Sequence, residues 1–187
     1  MTARGPGGEG AGKRMDGDKR QHRQAGGGAT TTARPAARSE IVTCPDCGRR
    51  NRVPAAAEGV PRCGNCHQPL PWVTSASDGD FDEVARDASV PVLVDLWAAW
   101  CAPCRIVEPG VEEASRAYAG RLKVVKVDVD KAPGVAERYG ARSIPTLLLL
   151  DRGREVARQV GAVAPKALLK WIEEAVASAR GGGERQG

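Results

Sequence analysis

The cysteines are the residues whose types and spacing most clearly indicate chemistry in this chain. All six occur as Cys-x-x-Cys pairs, namely Cys44/Cys47, Cys63/Cys66 and Cys101/Cys104. Two thiols at this spacing can share one metal ion or close into a disulfide. An even number of cysteines is also typical of disulfide frameworks in secreted chains. The N-terminus has basic residues but no apolar stretch of the kind that a secretory signal requires. We therefore expect a cytoplasmic protein, in which such pairs bind metal or do redox chemistry.

The first two pairs have the spacing of a zinc site. Segments 44–47 and 63–66 are separated by fifteen residues, and each short loop lets two thiolates reach one ion. Four thiolates complete a tetrahedral site for Zn²⁺, so we predict one structural zinc ion bound by these four cysteines. His67 follows Cys66 directly and could compete as a ligand, although the four cysteines already saturate the site. The alternative is that these pairs form disulfides or are redox-active.

The third pair lies where a predicted strand leads into a predicted helix. Residues 90–97 form a nearly continuous apolar run, which is typical of a strand buried on both faces. A helix should begin at about Cys101 and run toward Tyr118, with a kink at Pro109. At a helix N-terminus the unpaired N–H groups and the helix dipole favour a thiolate, which is the attacking form in disulfide exchange. We therefore interpret Cys101 and Cys104 as a redox pair with an exposed first sulfur, the alternative being a third metal-binding pair.

The periodicity of residues 73–180 is typical of an α/β domain. We predict a helix around Phe81 with Asp78 and Asp80 as possible N-caps, and a last amphipathic helix that carries Leu168 and Ile172. Between them the pattern predicts strands at 122–129, 146–150 and 155–160, a short helix at 135–139, and a hairpin turn at 151–154. This order indicates a central mixed sheet with helices on both faces.

The front of the chain differs in composition from the rest. Residues 1–40 contain nine glycines and no aromatic residue, so we predict a disordered tail, within which Met15 is an alternative start. Residues 41–72 have too few apolar side chains for a core of their own and need a metal as a staple, so we expect them to fold and melt separately. The predicted organisation is a tail at 1–40, a zinc-ribbon module at 41–72, the α/β domain at 73–180 and a disordered end at 181–187.

The charge distribution bears on the class of partner. The net charge is +5, but the basic excess lies in residues 1–72, and the remainder has sixteen basic and seventeen acidic residues. A near-neutral domain lacks the basic face that binding to a phosphate backbone requires. No run of eighteen apolar residues occurs. We therefore expect neither a nucleic-acid partner nor a membrane partner.

Three motifs resemble those of the thioredoxin family. Residues 94–104 (Val-Asp-Leu-Trp-Ala-Ala-Trp-Cys-Ala-Pro-Cys) resemble the active-site segment, and residues 143–146 (Ser-Ile-Pro-Thr) and 160–162 (Val-Gly-Ala) match the family's two other surface loops. The similarity spans roughly residues 73–178. A zinc ribbon before such a domain, including Asn-Arg-Val-Pro at 51–54, is similar to the thioredoxin 2 class of bacterial thioredoxins.

The resemblance implies a role for each matching residue. Cys101 would be the attacking nucleophile and Cys104 the resolving thiol, while Asp95, a buried carboxylate paired with Lys126, would help to deprotonate Cys104. A carboxylate in an apolar strand is costly without a partner or a task, although a salt-bridged aspartate at a strand end is the alternative. The substrate surface would comprise Trp100, Ala102, Pro103, Ile144, a cis Pro145 and Gly161.

The implied activity is that of a thiol–disulfide oxidoreductase. Such a protein reduces disulfides in protein substrates and is itself reduced by an NADPH-dependent thioredoxin reductase, and we expect a monomer without an organic cofactor. Ala102 stands where the family most often has glycine, which leaves the reaction type unchanged. Two other functions remain open: a redox-regulated zinc module that exposes a chaperone or interaction surface, and an exported thiol oxidase, which the missing signal sequence disfavours.

Overall fold

The computed structural model describes residues 38–181, with side chains up to residue 178. The tails predicted for 1–40 and 181–187 lie almost entirely outside these residues. The described residues belong to one compact unit. Among them, no helix is both long enough and apolar enough to cross a membrane.

Two sheets organise the described chain. A two-stranded antiparallel sheet at the front pairs β1 with β2, and a five-stranded mixed sheet has the order β3-β5-β4-β6-β7. In the larger sheet β4 is parallel to β5 and antiparallel to β6. The strands are β1 (Ser39–Thr43), β2 (Arg50–Pro54), β3 (Val73–Ser75), β4 (Val92–Trp97), β5 (Lys123–Asp128), β6 (Thr146–Asp151) and β7 (Arg154–Val160).

Helices cover both faces of the mixed sheet, which confirms the predicted fold class. They are α1 (Cys104–Ala117), α2 (Pro133–Arg138), α3 (Pro165–Gly181) and a short π-helix (Asp82–Arg86). Because side chains alternate along a strand, β4 sends Val94 toward the π-helix and α2, and Leu93 toward α1 and α3. Asp95 shares the second face and therefore points toward α1.

The tight turn between β6 and β7 matches the predicted hairpin. Arg152 and Gly153 have positive φ values of 48° and 72°, as two-residue hairpin loops of type I′ require. Helix α1 begins at Cys104, three residues later than predicted, and contains Pro109. The proline does not end the helix, which continues to Ala117.

The prediction that Asp78 or Asp80 caps the helix near Phe81 is wrong. Phe81 itself occupies the N-cap position without a side-chain hydrogen bond. Asp78 instead accepts hydrogen bonds from the backbone N–H groups of Gly134 and Val135, at 3.0 and 2.8 Å, and so caps α2. Asp80 accepts one from the Ser77 N–H at 2.7 Å. This partner of Asp80 lies three residues upstream, whereas those of Asp78 are more than fifty residues away and no local pattern reveals them.

Residues 41–72 pack against the α/β domain, contrary to the separate folding unit that their composition suggests. Ala55 belongs to the same buried cluster as Phe81 on one face of the mixed sheet. Trp72 is buried with Cys44 and Cys63, and the centre of its ring lies 4.2 Å from the Nζ atom of Lys123, the first residue of β5. Arg38 also forms an ion pair with Asp80. The front segment thus shares its apolar contacts with the domain.

Candidate functional site

Cys101 and Cys104 are joined by a disulfide at the point where β4 leads into α1. The prediction of an exposed Cys101 sulfur is wrong for this disulfide form, since Cys101 is 2% and Cys104 5% exposed. The reason is packing, because Trp97, Val129 and Ile144 lie against the pair.

The start of α1 favours negative charge on the first sulfur. The backbone N–H of Cys104, the first helical residue, donates a hydrogen bond to Cys101 Sγ at 3.2 Å. This N–H is one of the groups that have no partner inside the helix, and the first turn contains no acidic residue. A Cys101 thiolate would therefore meet both a hydrogen-bond donor and the positive end of the helix dipole.

The second motif lies beside the disulfide, as the resemblance implies. The Ile144–Pro145 peptide bond is cis, and Ile144 packs against the two cysteines. The third motif is attached to it, because the Gly161 N–H donates a hydrogen bond to the Pro145 carbonyl oxygen at 2.9 Å. Gly161 has a φ of 84°, a backbone conformation that favours glycine. Three segments distant in sequence therefore meet around one disulfide.

Trp100 provides the apolar surface beside the pair. The residue is 68% exposed, and its Nε1–H donates a hydrogen bond to Asp130 at 2.8 Å, which fixes the ring. Trp100 and Ile144 line a depression of about 290 Å³, to which Arg142 also contributes. Ala102 and Pro103 are exposed in the loop between the cysteines. Sequence reasoning missed Asp130 and Arg142, which no motif marks.

Asp95 is a buried carboxyl group beneath the disulfide. It is 2% exposed, and its Oδ1 atom has no hydrogen-bond partner among the described residues. Burial raises the pKa of Asp95 to about 6, an effect that Lys126 opposes and the Glu108 carboxylate reinforces. The group lies in a cavity of about 140 Å³ that Cys104 also lines. A carboxyl with this pKa can exchange a proton near neutral pH.

The direct pairing of Lys126 with Asp95 is not observed. The two residues are register neighbours on β4 and β5, and both line the cavity. However, Lys126 Nζ donates a hydrogen bond to Glu108 Oε1 at 2.6 Å and lies 5.0 Å from the centre of the Trp97 ring. An ion pair with half-exposed Glu108 requires less desolvation than one with buried Asp95. Sequence reasoning missed Glu108: its position one helical turn after Cys104 places it near the redox pair, but no sequence pattern links it to Lys126.

The other four cysteines form a compact cluster, as their spacing predicts. Their sulfur atoms all lie within 4.8 Å of one another, with Cys44 3.5 Å from Cys66 and Cys47 3.5 Å from Cys63. Zn–S bonds of about 2.3 Å in a tetrahedron place the sulfur atoms about 3.8 Å apart. Four free thiols at this spacing can hold one metal ion.

The two halves of the cluster have the same backbone geometry. The N–H of the residue after each second cysteine bonds back to the carbonyl of the first, from Gly48 to Cys44 and from His67 to Cys63, both at 3.0 Å. Gly48 and His67 also share positive φ values, 74° and 60°. His67 thus takes the turn position that Gly48 takes in the other half. The cluster that could hold a metal consists of the four cysteines and does not include His67.

Comparison with known proteins agrees with this geometry. The thioredoxin family model matches residues 72–174. Thioredoxin 1 of Nostoc sp. is 48% identical over 98 residues, which cover 52% of this chain and 92% of the relative. Thioredoxin C-3 of Corynebacterium nephridii is 34% identical over 145 residues, which cover 75% of this chain and 99% of the relative. The chain belongs to the thioredoxin family and is a thiol–disulfide oxidoreductase.

Proposed function

We propose that the chain reduces disulfides in protein substrates, with Cys101 as the nucleophile and Cys104 as the resolving thiol. The observation that supports these roles is the hydrogen bond from the Cys104 N–H to Cys101 Sγ at the start of α1. Only one sulfur of the pair receives this stabilisation, and the thiolate is the attacking form. Cys101 therefore attacks a substrate sulfur, and the other substrate sulfur leaves as a thiolate.

The second step closes the disulfide that the structure contains. Asp95 takes the proton of the Cys104 thiol, and the resulting thiolate attacks Cys101 Sγ in the mixed disulfide. The bond between Cys101 and the substrate breaks while the Cys101–Cys104 bond forms. The substrate gains two electrons, the chain loses two, and the leaving substrate thiolate takes up a proton.

Substrate binding falls to the surface beside the disulfide. Trp100 and Ile144 offer apolar contact, and Gly161 lies against Pro145 without a side chain that would obstruct an approaching chain. Ile144 would hydrogen-bond an extended substrate through its backbone. Reduction of the disulfide for the next cycle requires a two-electron donor. We infer that this donor is an NADPH-dependent thioredoxin reductase. We further infer that the protein acts as a monomer in the cytoplasm.

The front segment is proposed to be a zinc ribbon of the thioredoxin 2 class. The match to Thioredoxin C-3 includes about 140 residues of this chain, more than the 115 that follow Trp72, so the similarity extends into the front segment. The thiol cluster and its paired turns fit a tetrahedral ion. Zn²⁺ bound to Cys44, Cys47, Cys63 and Cys66 would supply folding free energy to a segment with a small core.

Two serine variants test the redox roles. In an insulin-reduction assay with NADPH and a thioredoxin reductase, Cys101→Ser should lose turnover because attack is abolished. Cys104→Ser should instead accumulate mixed disulfides, detectable by mass spectrometry, because attack survives and resolution does not. The two variants control for each other, since each removes one thiol of the same buried pair. Release of substrate from Cys104→Ser at the parental rate would contradict the assignment.

Metal analysis tests the ribbon. One zinc per chain is expected, falling when any of the four cysteines is replaced by serine. During oxidation, the Cys101–Cys104 disulfide should form before zinc is released, because metal-bound thiolates are capped. Zinc release that precedes this disulfide would contradict a purely structural ion and favour a redox-regulated zinc module.

A further inference from the structure

Glu108 occupies a place that the proposed chemistry does not yet use. It lies one helical turn after Cys104 on α1, with its side chain 47% exposed, and accepts a 2.6 Å hydrogen bond from Lys126 Nζ. The carboxylate lines the same cavity as Cys104 and Asp95. Glu108 therefore joins the outer surface of α1 to the buried end of the redox site.

The position of Lys126 determines what surrounds Asp95. Among the described residues, the charged or titratable groups that line this cavity are Asp95 on β4, Lys126 on β5, and Cys104, Arg105 and Glu108 on α1. Strand β6, the other neighbour of β4, places apolar Leu147 opposite Asp95. Lys126 is thus the cation nearest to Asp95 along the sheet, yet it is bound to Glu108 and leaves Asp95 Oδ1 without a hydrogen bond.

We propose that Glu108 is a positioning residue for the resolving step. By holding Lys126, it keeps the Asp95 carboxyl free of an ion pair and sets the pH range in which Asp95 accepts the proton of Cys104. This inference rests on the proton-transfer role proposed for Asp95. Consistent with it, the Glu108 charge contributes to the raised pKa of Asp95, beyond the larger effect of burial.

Glu108→Gln should act on Asp95 in two ways with the same sign. It removes a negative charge that disfavours the Asp95 carboxylate, and it frees Lys126 to approach that carboxylate. An opposite charge at close range lowers the pKa of a carboxyl by about one to three units. The midpoint of the resolving step should therefore move to lower pH by about one unit, and its plateau rate should fall because the base is weaker.

The resolving step can be followed with an aromatic disulfide whose thiolate product is coloured. Reduced protein is mixed with 5,5′-dithiobis(2-nitrobenzoate) in a stopped-flow instrument. Attack by Cys101 releases one coloured thiolate, and attack by Cys104 on the mixed disulfide releases the second. The rate of the second release is measured against pH for the parent and Glu108→Gln. Glu112→Gln is the matched control, since Glu112 lies one turn further along α1 in a surface pair with Arg116.

A double-mutant comparison tests the route through Lys126. In a Lys126→Gln background, Glu108→Gln should shift the midpoint less than in the parent, because no lysine remains to be released. An unchanged midpoint in Glu108→Gln, an equal shift in Glu112→Gln, or an equal shift in both backgrounds would overturn the proposal. A different result would contradict the proton-transfer role of Asp95 itself. In that case the second thiolate release in Asp95→Asn would have the same pH profile as in the parent.

Discussion

Replacing Asp95 with asparagine should stabilise the oxidised protein most strongly near neutral pH. Asparagine keeps the size and shape of the side chain, removes the buried charge and replaces one carboxylate oxygen with an NH2 group. The pKa of Asp95 in the folded protein is about 6, against a usual value of 3.8. This difference of roughly two units corresponds to about 3 kcal/mol by which the charged carboxylate lowers the free energy of unfolding at pH 7.

The sign of the pH dependence follows from the raised pKa. Between pH 3.8 and about 6 the folded protein binds more protons at Asp95 than the unfolded chain does, so stability falls as pH rises through this window. The gain in Asp95→Asn should therefore be about 3 kcal/mol at pH 7, about 1.5 kcal/mol at pH 5, and close to zero below the unfolded-state pKa.

Urea unfolding of the oxidised parent and variant at pH 5 and pH 7 measures this difference. Each comparison is made at one pH, so that acid effects common to both proteins cancel. Asp87→Asn is the matched control, because Asp87 is exposed and its replacement should change stability little at either pH. A stability difference between Asp95→Asn and the parent that is the same at both pH values would refute the reasoning.

Three further predictions concern other parts of the molecule. A zinc chelator should lower the melting temperature of one shared transition in calorimetry, because Trp72 and Ala55 pack against the domain; melting of residues 41–72 alone would contradict this. Lys123→Met removes a buried cation and should raise the free energy of unfolding at pH 7 by up to about 3 kcal/mol, less what is lost with the hydrogen bond that Lys123 Nζ donates to the Val84 carbonyl oxygen. Because burial lowers the pKa of Lys123 to about 8, that gain should shrink above pH 8 in urea titrations. A gain that does not change with pH would contradict a destabilising charge on Lys123. Trp100→Ala should raise KM for protein disulfides about tenfold without changing the melting temperature, because the ring is exposed; an unchanged KM would remove Trp100 from the substrate surface.

Features encoded by short spacing could be predicted from the sequence. The clustering of Cys44, Cys47, Cys63 and Cys66 follows from two short loops, and the buried strand β4 follows from its apolar run. Family resemblance supplied the cis bond at Pro145, which composition does not indicate. These features depend on residues near one another in the chain or on motifs that carry their own geometry.

Features that depend on distant side chains were not predictable in this way. Asp78 accepts a hydrogen bond from the N–H of Gly134, which lies 56 residues further along the chain, and no local pattern links the two residues. The choice of Glu108 over Asp95 by Lys126 reflects the relative cost of burying two carboxylates, which requires the packed structure. Ala55 is buried in the same cluster as Phe81. This contact depends on how residues 41–72 fold back onto the α/β domain, and composition does not show that, so the sequence placed Ala55 in a separate module.

The cap that Asp78 provides has a consequence for the order in which the chain folds. Helix α2 has only six residues, too few to be stable in isolation, and its first N–H groups depend on a carboxylate far upstream. The helix therefore becomes stable only after the loop around Asp78 has reached it. This contact is slow to form, because it must first overcome a large loop-closure entropy. Amide hydrogens of Gly134 and Val135 should accordingly gain protection late during refolding, after those of β4 and β5.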